Sequence, residues 1–528
     1  MLMPNKNKLS IFMIKDGFDE DEDIIENFSH SVLIDGVGTV YWDNSHVDIP
    51  HWVDSFFGGN INTDNIFTAN ARAVLLVRVP VQHNDLEKIF AVTMGYGKNM
   101  LKDNVTEDRF GLKVILNTIK PDSLRRINKV NIGGNQKLSN EQLPLESDIS
   151  DFGFDINRDL VSNISGVSDD ENYVTGLLTG GCMLSLTATV DITNIVDFLK
   201  KTYEKHRLDT YKNYFSWIDQ IQPVKDTRLV ERLDSNLITA INESSVNVWM
   251  AVPEIINWEE VRGFKYKGRE VYDDIDISFV KESFRKPLSS IKQLKSKKIV
   301  AISALDNSER YSWNAYGCIY GELSLNGKSY CINSGKWYQI NNKFVQQVNK
   351  DYNSTPISTI DFNDYTDTHK TENGYSIDFQ KRHPDNYVVL DAHNFSYGGG
   401  HSKIELCDIL SSDKELIHIK IFTGSSALSH LFSQAAVSAE LVLSDTQFLT
   451  LANGKIKELS RNDNFTIKDR RSINVVFGII HTTEAKLPPI PFFSKVSFGY
   501  TKNRLQAFGL DVSIKTIKDI RPQRKRFN

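Results

Sequence analysis

Short apolar runs that end in turn residues recur through the first half of the chain, and this pattern predicts strands. The clearest runs are Ala73 to Val81 and Lys88 to Gly97. Apolar residues at helical spacing follow in "DRFGLKVILNTI" and in the segment that starts near Asp191 and ends in "KKTYEKHR". We therefore expect residues 1–300 to form a mixed α/β body that senses or binds a partner, with room for two subdomains.

Residues 301–528 have a more specific pattern. Asn326 and Gly327 suit the two positive-φ positions of a type I′ turn and predict a hairpin, whereas Thr355 to Gly374 is polar and predicts a loop or insertion. The periodicity then follows the order helix, strand, strand, strand, helix, strand. The predicted bounds are Lys343–Tyr352, Asn386–Ala392, Ser402–Leu410, Glu415–Phe422, Ser425–Leu443 and Ser472–His481.

Charged side chains interrupt the second and third of these strands. On a strand of period two, His418 and Lys420 share one face, and the isoleucines between them take the other. Asp408 stands near the end of the preceding strand, where a twist or bulge would redirect it, and Glu405 is the alternative acid. These residue types suit a divalent-metal site, because carboxylate oxygens bind hard cations and lysine offsets charge on phosphate.

The predicted helix after these strands has a narrow polar stripe. Ser426, His430, Gln434 and Ser438 recur every four residues, and apolar residues cover the rest of the helix. A helix of this kind is mostly buried, so its polar stripe should face a wet cavity.

Composition changes the picture little. The chain has 528 residues, a formal net charge of −5 and an ordinary globular content of charged residues. The chain therefore lacks the overall positive charge that is typical of nucleic-acid-binding proteins. Contacts with nucleic acid must come from local patches, such as a run of lysines between residues 286 and 298 or the basic tail "RPQRKRFN". The lysine run is more typical of a solvated helix face than of a phosphate-contacting patch; it comprises Lys286, Lys292, Lys295, Lys297 and Lys298.

The cysteines and the amino terminus indicate a compartment. None of the four cysteines has metal-ligand spacing, which favours a reducing environment, and no apolar run is long enough for a signal peptide or a membrane span. We expect a cytoplasmic protein with no membrane partner.

The order of elements in the C-terminal region resembles the αβββαβ core of the PD-(D/E)xK nuclease superfamily. The resemblance implies a restriction-endonuclease-like domain over residues 301–528 that binds nucleic acid, with Mg²⁺ or Mn²⁺ as cofactor. Asp408 takes the second-strand acid position, and His418-x-Lys420 takes the acid-x-lysine position, although a histidine stands where the superfamily has an acid. The implied catalytic residues are Asp408, His418, Lys420 and Glu405, with Asp408, Glu405 and His418 as metal ligands. The implied substrate-binding residues are His430, Gln434, Ser426, Lys403, Gly399 and Gly400.

Other interpretations of the same residues stay open. The charged residues are also typical of a structural hydrogen-bonded cluster. A non-catalytic sensor of nucleic acid or phage protein, built on a degenerate nuclease fold, is the alternative function. Gly398 to Gly400 would suit a nucleotide-dependent transferase, but no GK[ST] follows and the glycines lead into a strand.

The chain also resembles a sporadically distributed bacterial family of uncharacterised proteins of about this length. The resemblance rests on "KLSIFMIK", "FAVTMGYGKNML", "DFGFDINRDLV", "SGKWYQINNKFVQQVN" and the block from Gly398 to Leu441. Patchy occurrence is typical of mobile genetic islands and anti-phage systems. The predicted function is therefore a metal-dependent nuclease in anti-phage defence, with a phage-derived trigger and a homo-oligomeric state left open.

Overall fold

A computed structural model of the chain describes residues 6–49, 53, 58, 66, 68–81, 87–102, 104–131, 137–144, 159–245, 247–254, 256–268, 270–284, 286–304, 308–391, 395–397 and 402–522. Helices and mostly antiparallel sheets form these residues into an α+β fold, which confirms the predicted mixture. Among the described helices, none combines the length and apolar composition needed to cross a membrane.

The chain forms two compact units. The first comprises residues 1–130 and 138–219, and the second comprises residues 131–137 and 220–528. We expected a boundary at residue 300, whereas the observed division follows residue 219. The reason lies in strand pairing, because strands from residues 221–223 and 248–250 join the sheet of the predicted hairpin.

A ten-stranded sheet with order β2-β3-β4-β5-β1-β10-β9-β8-β6-β7 organises the first unit. Its strands are β1 Asn7–Met13, β2 His30–Ile34, β3 Gly38–Asp48, β4 Thr68–Pro80, β5 Glu87–Gly95, β6 Leu124–Asn131, β7 Lys137–Gln142, β8 Asp159–Asp170, β9 Val174–Gly180 and β10 Leu184–Ala188. Its helices are α1 Asp21–Ile24, α2 Phe110–Leu116, α3 Ile195–Arg207 and α4 Lys212–Phe215. Helix α2 packs tightly on β9, since a Cβ at Gly180 would lie 2.1 Å from the Gly111 carbonyl oxygen.

Two smaller sheets begin the second unit, with orders β11-β18-β17-β16-β12 and β13-β14-β15. The strands are β11 Ile221–Pro223, β12 Val248–Met250, β13 Val261–Lys265, β14 Lys298–Ser303, β15 Glu309–Asn314, β16 Ile319–Leu325, β17 Lys328–Asn333 and β18 Lys336–Ile340. The helices are α5 Thr227–Asn242, α6 Ile277–Glu282 and α7 Ile291–Ser296. Asn326 and Gly327 have φ of 53° and 72° between β16 and β17, which confirms the predicted hairpin.

A five-stranded sheet with order β19-β22-β23-β24-β25 forms the rest of the second unit. The strands of this sheet are β19 Tyr387–Val389, β22 Ile409–Ser411, β23 Glu415–Ile421, β24 Asn474–His481 and β25 Val512–Lys518, whereas β20 Phe395–Tyr397 and β21 Ser402–Ile404 form a separate two-stranded sheet. The helices are α8 Asn342–Asn353, α9 Glu372–Arg382, α10 Ser425–Ser444, α11 Thr446–Ser460 and α12 Phe492–Ala507. Strands β19, β22 and β23 are antiparallel neighbours, whereas β24 and β25 run parallel to β23.

Apolar side chains cover both faces of this sheet. Leu416 and Phe477 belong to one buried cluster with residues of α10, α11 and α12. Ile417 and Ile419 belong to another cluster with Tyr375 of α9. The alternation along β23 follows from the two-residue period of a strand, and it leaves the ends of the strands as the place for polar groups.

One expectation for this region needs correction. The strand predicted from Ser402 to Leu410 is two strands, because β21 pairs with β20 in a separate sheet and β22 alone joins the main one.

The loop predicted from Thr355 to Gly374 is confirmed up to Thr371. It runs beside β25, with bridges at Ile357 and Tyr365, and ends in the first turn of α9.

Candidate metal centre

Asp408 lies where β22 begins. Its backbone N–H donates to the Ile417 carbonyl at 3.0 Å, and its Oδ2 accepts from the Ile419 N–H at 2.5 Å. The carboxylate thus takes a hydrogen bond that a backbone carbonyl would accept in a longer ladder. This contact prevents β22 from extending further toward its amino-terminal end, and it holds the Asp408 side chain beside β23.

Two further carboxylates converge on Asp408. The N–H groups of Leu390 and Asp391, just after β19, both donate to the Asp408 carbonyl, at 2.9 and 3.1 Å. Glu405 comes from the irregular segment between β21 and β22. One oxygen from each of Asp391, Glu405 and Asp408 lies within 4.8 Å of the others, and all three residues are partly buried. We call these residues the acidic triad.

The ionisation of Asp408 reflects this crowding. Burial raises its pKa to about 8, and the charges of Asp391, Glu405 and Glu372 raise it as well, against the opposing hydrogen bond from the Ile419 N–H. Carboxylates that share a half-buried site repel one another, and a bound cation removes the repulsion.

Cationic groups approach the triad from two elements. Burial and the charge of Asp391 raise the pKa of Glu405, whereas the charges of Lys420 on β23 and His430 on α10 lower it. His430 is exposed and close enough to act on the charge of Glu405. Gln434, one turn further along α10, is partly buried.

Lys420 is fixed by a fourth acid. Its Nζ donates to Oε2 of Glu372 at 2.7 Å, and the backbone N–H of Ile421 donates to Oε1 of the same side chain at 2.8 Å. The two side chains are 32% and 25% exposed, so solvent reaches this ion pair. Glu372 is the first residue of α9.

His418 does not join the other predicted site residues. It is 4% exposed, its ring lies 6.1 Å from that of Phe477, and burial lowers its pKa to about 3. No described group lies within hydrogen-bond reach of its Nε2. Although His418 and Lys420 point to the same side of β23, His418 lies in the strand interior and Lys420 at its polar end.

The remaining predicted residues are partly described. Ser438, the last residue of the polar stripe, is buried and donates its hydroxyl to the Ala435 carbonyl. Gly399 and Gly400 lie outside the described residues, as do the side chains of Ser426 and Lys403.

Comparison with protein families now identifies the chain. A model described as a family of unknown function, DUF6119, matches residues 9–518. The chain belongs to the DUF6119 family. No curated protein and no solved structure matches this DUF6119 protein at a significant level.

Two acids of this DUF6119 protein escaped the sequence-based prediction. Asp391 had a signal, because an acid directly after the buried run "YVVL" marks the polar end of a strand. Glu372 had none, since it stands in a polar segment and reaches Lys420 across 48 residues of sequence. The structure adds both to the neighbourhood of Asp408, Glu405 and Lys420.

Proposed function

We propose that this protein is a metal-dependent phosphodiesterase that cleaves nucleic acid. The observation that carries the proposal is the acidic triad beside Lys420, at the end of a strand. The order of antiparallel and parallel strands around it supports the same function by analogy with the PD-(D/E)xK superfamily.

The residues of the triad fit a hard divalent cation. Asp391, Glu405 and Asp408 offer carboxylate oxygens, which Mg²⁺ and Mn²⁺ prefer, and one oxygen of each lies within 4.8 Å of the others. Burial, and after it the charges of the neighbouring acids, raise the pKa of Asp408, and a bound cation would favour its ionised form. When bound, the cation would supply Lewis-acid stabilisation and lower the pKa of a coordinated water.

Protein side chains would do the remaining work. Lys420 lies near Glu405 and would place its ammonium against a scissile phosphate, where it offsets developing negative charge. His430 is exposed and would contact the sugar-phosphate backbone. His418 takes no part, because its ring is buried and uncharged near neutral pH.

A cleavage assay tests this proposal. In Mg²⁺ or Mn²⁺ the wild-type protein should cut plasmid, single-stranded DNA or RNA, and Asp408→Asn and Lys420→Met should each lower the rate at least about 100-fold. Asn suits Asp408 because its amide oxygen still accepts from the Ile419 N–H. The measurement is initial rate against metal concentration on gels.

Asp413→Asn is the matched control. Asp413 is exposed in the turn between β22 and β23, at the opposite end of the hairpin from Asp408, and its loss should leave the rate unchanged. Salt-sensitive binding without cutting would favour the sensor function instead. Cutting that survives chelation, or that persists in both site variants, would refute the proposal.

Anti-phage defence is the setting that we propose, on the basis of the patchy occurrence of the resembling family. Its test is the plating efficiency of phages on cells that express the wild-type protein or Asp408→Asn. Equal plating on both would remove this setting and leave the enzymatic proposal intact.

A further inference from the structure

Both carboxylate oxygens of Glu372 have hydrogen-bond partners on β23. Oε2 accepts from the Lys420 ammonium at 2.7 Å, and Oε1 accepts from the Ile421 N–H at 2.8 Å. Asp408 of the triad accepts from the Ile419 N–H, two positions earlier on the same strand. Glu372 therefore belongs to the same polar region as the triad, but its oxygens are directed at the strand.

The segment before Glu372 is anchored. His369 accepts from the Thr366 N–H at its Nδ1 and lies 3.2 Å from an Asp378 oxygen through its Nε2. Thr371 caps α9 by accepting from the Gly374 N–H. A Cβ at Gly374 would lie 2.0 Å from the His369 carbonyl oxygen, so only glycine permits this approach. These contacts consequently hold the first turn of α9 against the loop before it.

The Lys420 side chain has four rotatable bonds, and an unpaired ammonium would sample many positions at the strand end. The paired Glu372 carboxylate removes that freedom, since the Ile421 N–H fixes one of its oxygens and the helix fixes its backbone. A group near a metal centre that orients another side chain is expected to affect turnover without binding the metal itself.

We infer that Glu372 is the positioning residue of Lys420: it binds no metal, and it holds the ammonium where the scissile phosphate will lie. This inference rests on the proposed phosphodiesterase function. It assigns different roles to four neighbouring acids, with the triad as metal ligands and Glu372 as the partner of the lysine.

A double-mutant cycle tests the inference. Glu372→Gln keeps the shape and an acceptor for the Ile421 N–H but removes the charge that holds Lys420. We expect kcat to fall by about 10- to 100-fold with KM within about twofold, as for groups that orient catalytic residues. In a Lys420→Met background the same substitution should have no further effect, because the residue through which it acts is gone.

Metal affinity gives an arm that does not need activity. Mn²⁺ titration should give Glu372→Gln a Kd within about threefold of wild type, whereas Asp408→Asn should weaken binding by at least about tenfold. Glu372→Asp, which keeps the charge on a shorter side chain, should recover part of the lost kcat.

The outcomes separate the two proposals. A tenfold loss of Mn²⁺ affinity in Glu372→Gln would make Glu372 a ligand and overturn the inference, as would a full additional effect in the Lys420→Met background. In both cases the phosphodiesterase function would survive. A wild-type protein that cuts no nucleic acid would overturn the proposed function and, with it, the role of Glu372.

Discussion

At the scale of single residues, the C-terminal sheet of this DUF6119 protein places chemically similar side chains in opposite environments. His418 and Lys420 are two positions apart on β23, yet the His418 ring is buried beside Phe477 and the Lys420 ammonium reaches a partly exposed carboxylate. Asp408 and Glu372 are both acids near the same centre, yet one has a raised pKa and the other pairs with a lysine. Burial and partners decide what each group can do.

His418 gives a prediction at this scale. Its unpaired Nε2 costs stability, so His418→Leu should raise the free energy of unfolding by about 1–2 kcal/mol at neutral pH. Because the folded pKa of about 3 lies below that of the unfolded chain, wild type binds fewer protons when folded and loses stability as pH falls below about 6.5. The His418→Leu variant should lose less stability than wild type over the same pH range. Urea denaturation at pH 7 and pH 5 measures both effects.

Metal-dependent cleavage by His418→Leu is the control for this prediction. The ring is separate from the acidic triad, so cleavage should continue at the wild-type rate. A large loss of cleavage in a stably folded His418→Leu variant would return the histidine to the site and contradict its structural role.

At the scale of elements, periodicity predicts most of the region around the site. The third predicted strand, Glu415–Phe422, and the helix after it differ from β23 and α10 by one residue at the carboxyl end. The second predicted strand fails, because the Asp408 carboxylate accepts from the Ile419 N–H in place of the backbone pairing that would have continued the strand. Such a replacement is invisible to hydrophobic patterning, which reads side-chain burial and not hydrogen bonding.

The first turn of α9 gives a prediction at the element scale. Gly374→Ala should lower the free energy of unfolding by about 2 kcal/mol, because its Cβ would overlap the His369 carbonyl oxygen, a backbone atom that cannot move alone. Gly454→Ala in α11 is the matched control. No atom of the described residues lies within 4 Å of the added Cβ, and alanine should stabilise that helix by about 1 kcal/mol.

Thermal denaturation of both glycine variants measures these two changes in stability. If Gly374→Ala is as stable as the wild-type protein, the loop before α9 is not held against the helix, and the anchoring of Glu372 is wrong. A destabilised Gly374→Ala variant that still folds at low temperature should also show reduced cleavage, since Glu372 is two residues away.

At the scale of the whole molecule, one buried carboxylate links the sheet that contains β16 to the helices that pack on the sheet of β23. Glu322 of β16 is 8% exposed. Its oxygens accept from the Ser425 hydroxyl and from the Phe493 N–H, both at 3.3 Å. These donors belong to the first turns of α10 and α12, where unpaired N–H groups and the helix dipole favour an anion. One side chain therefore ties the sheet of β16 to the helices that cover β23.

The ionisation of Glu322 gives a prediction at this scale. Burial raises its pKa to about 7, against the lowering effects of the helix N–H groups, Ser425 and Lys495. Between about pH 4.5 and 7 the folded chain keeps a proton on Glu322 that the unfolded chain has released. The contribution of Glu322 to stability therefore falls as pH rises through that range, and it is constant above about pH 7. Across this range, the loss in the free energy of unfolding that comes from Glu322 is roughly 3 kcal/mol.

Glu322→Gln removes the titration and should give a smaller decrease in stability from pH 5 to pH 7.5 than the wild-type protein shows. Urea unfolding at intervals of half a pH unit measures the difference. A wild-type curve parallel to that of Glu322→Gln would show that Glu322 does not titrate in this range. Glu322→Leu is a second variant, and it should be less stable throughout because it leaves the helix N–H groups unpaired.

The sequence by itself determined the α+β class, the predicted hairpin, β23, α10 and three of the residues near the centre, Glu405, Asp408 and Lys420. These follow from side-chain periodicity and local turn chemistry, which act over a few residues. Tertiary structure alone decided that Asp391 joins the triad, that Glu372 holds Lys420 and that His418 is enclosed. Each of these depends on which distant segments meet at the end of a strand, and hydrogen bonds between such segments leave no periodic trace in the chain.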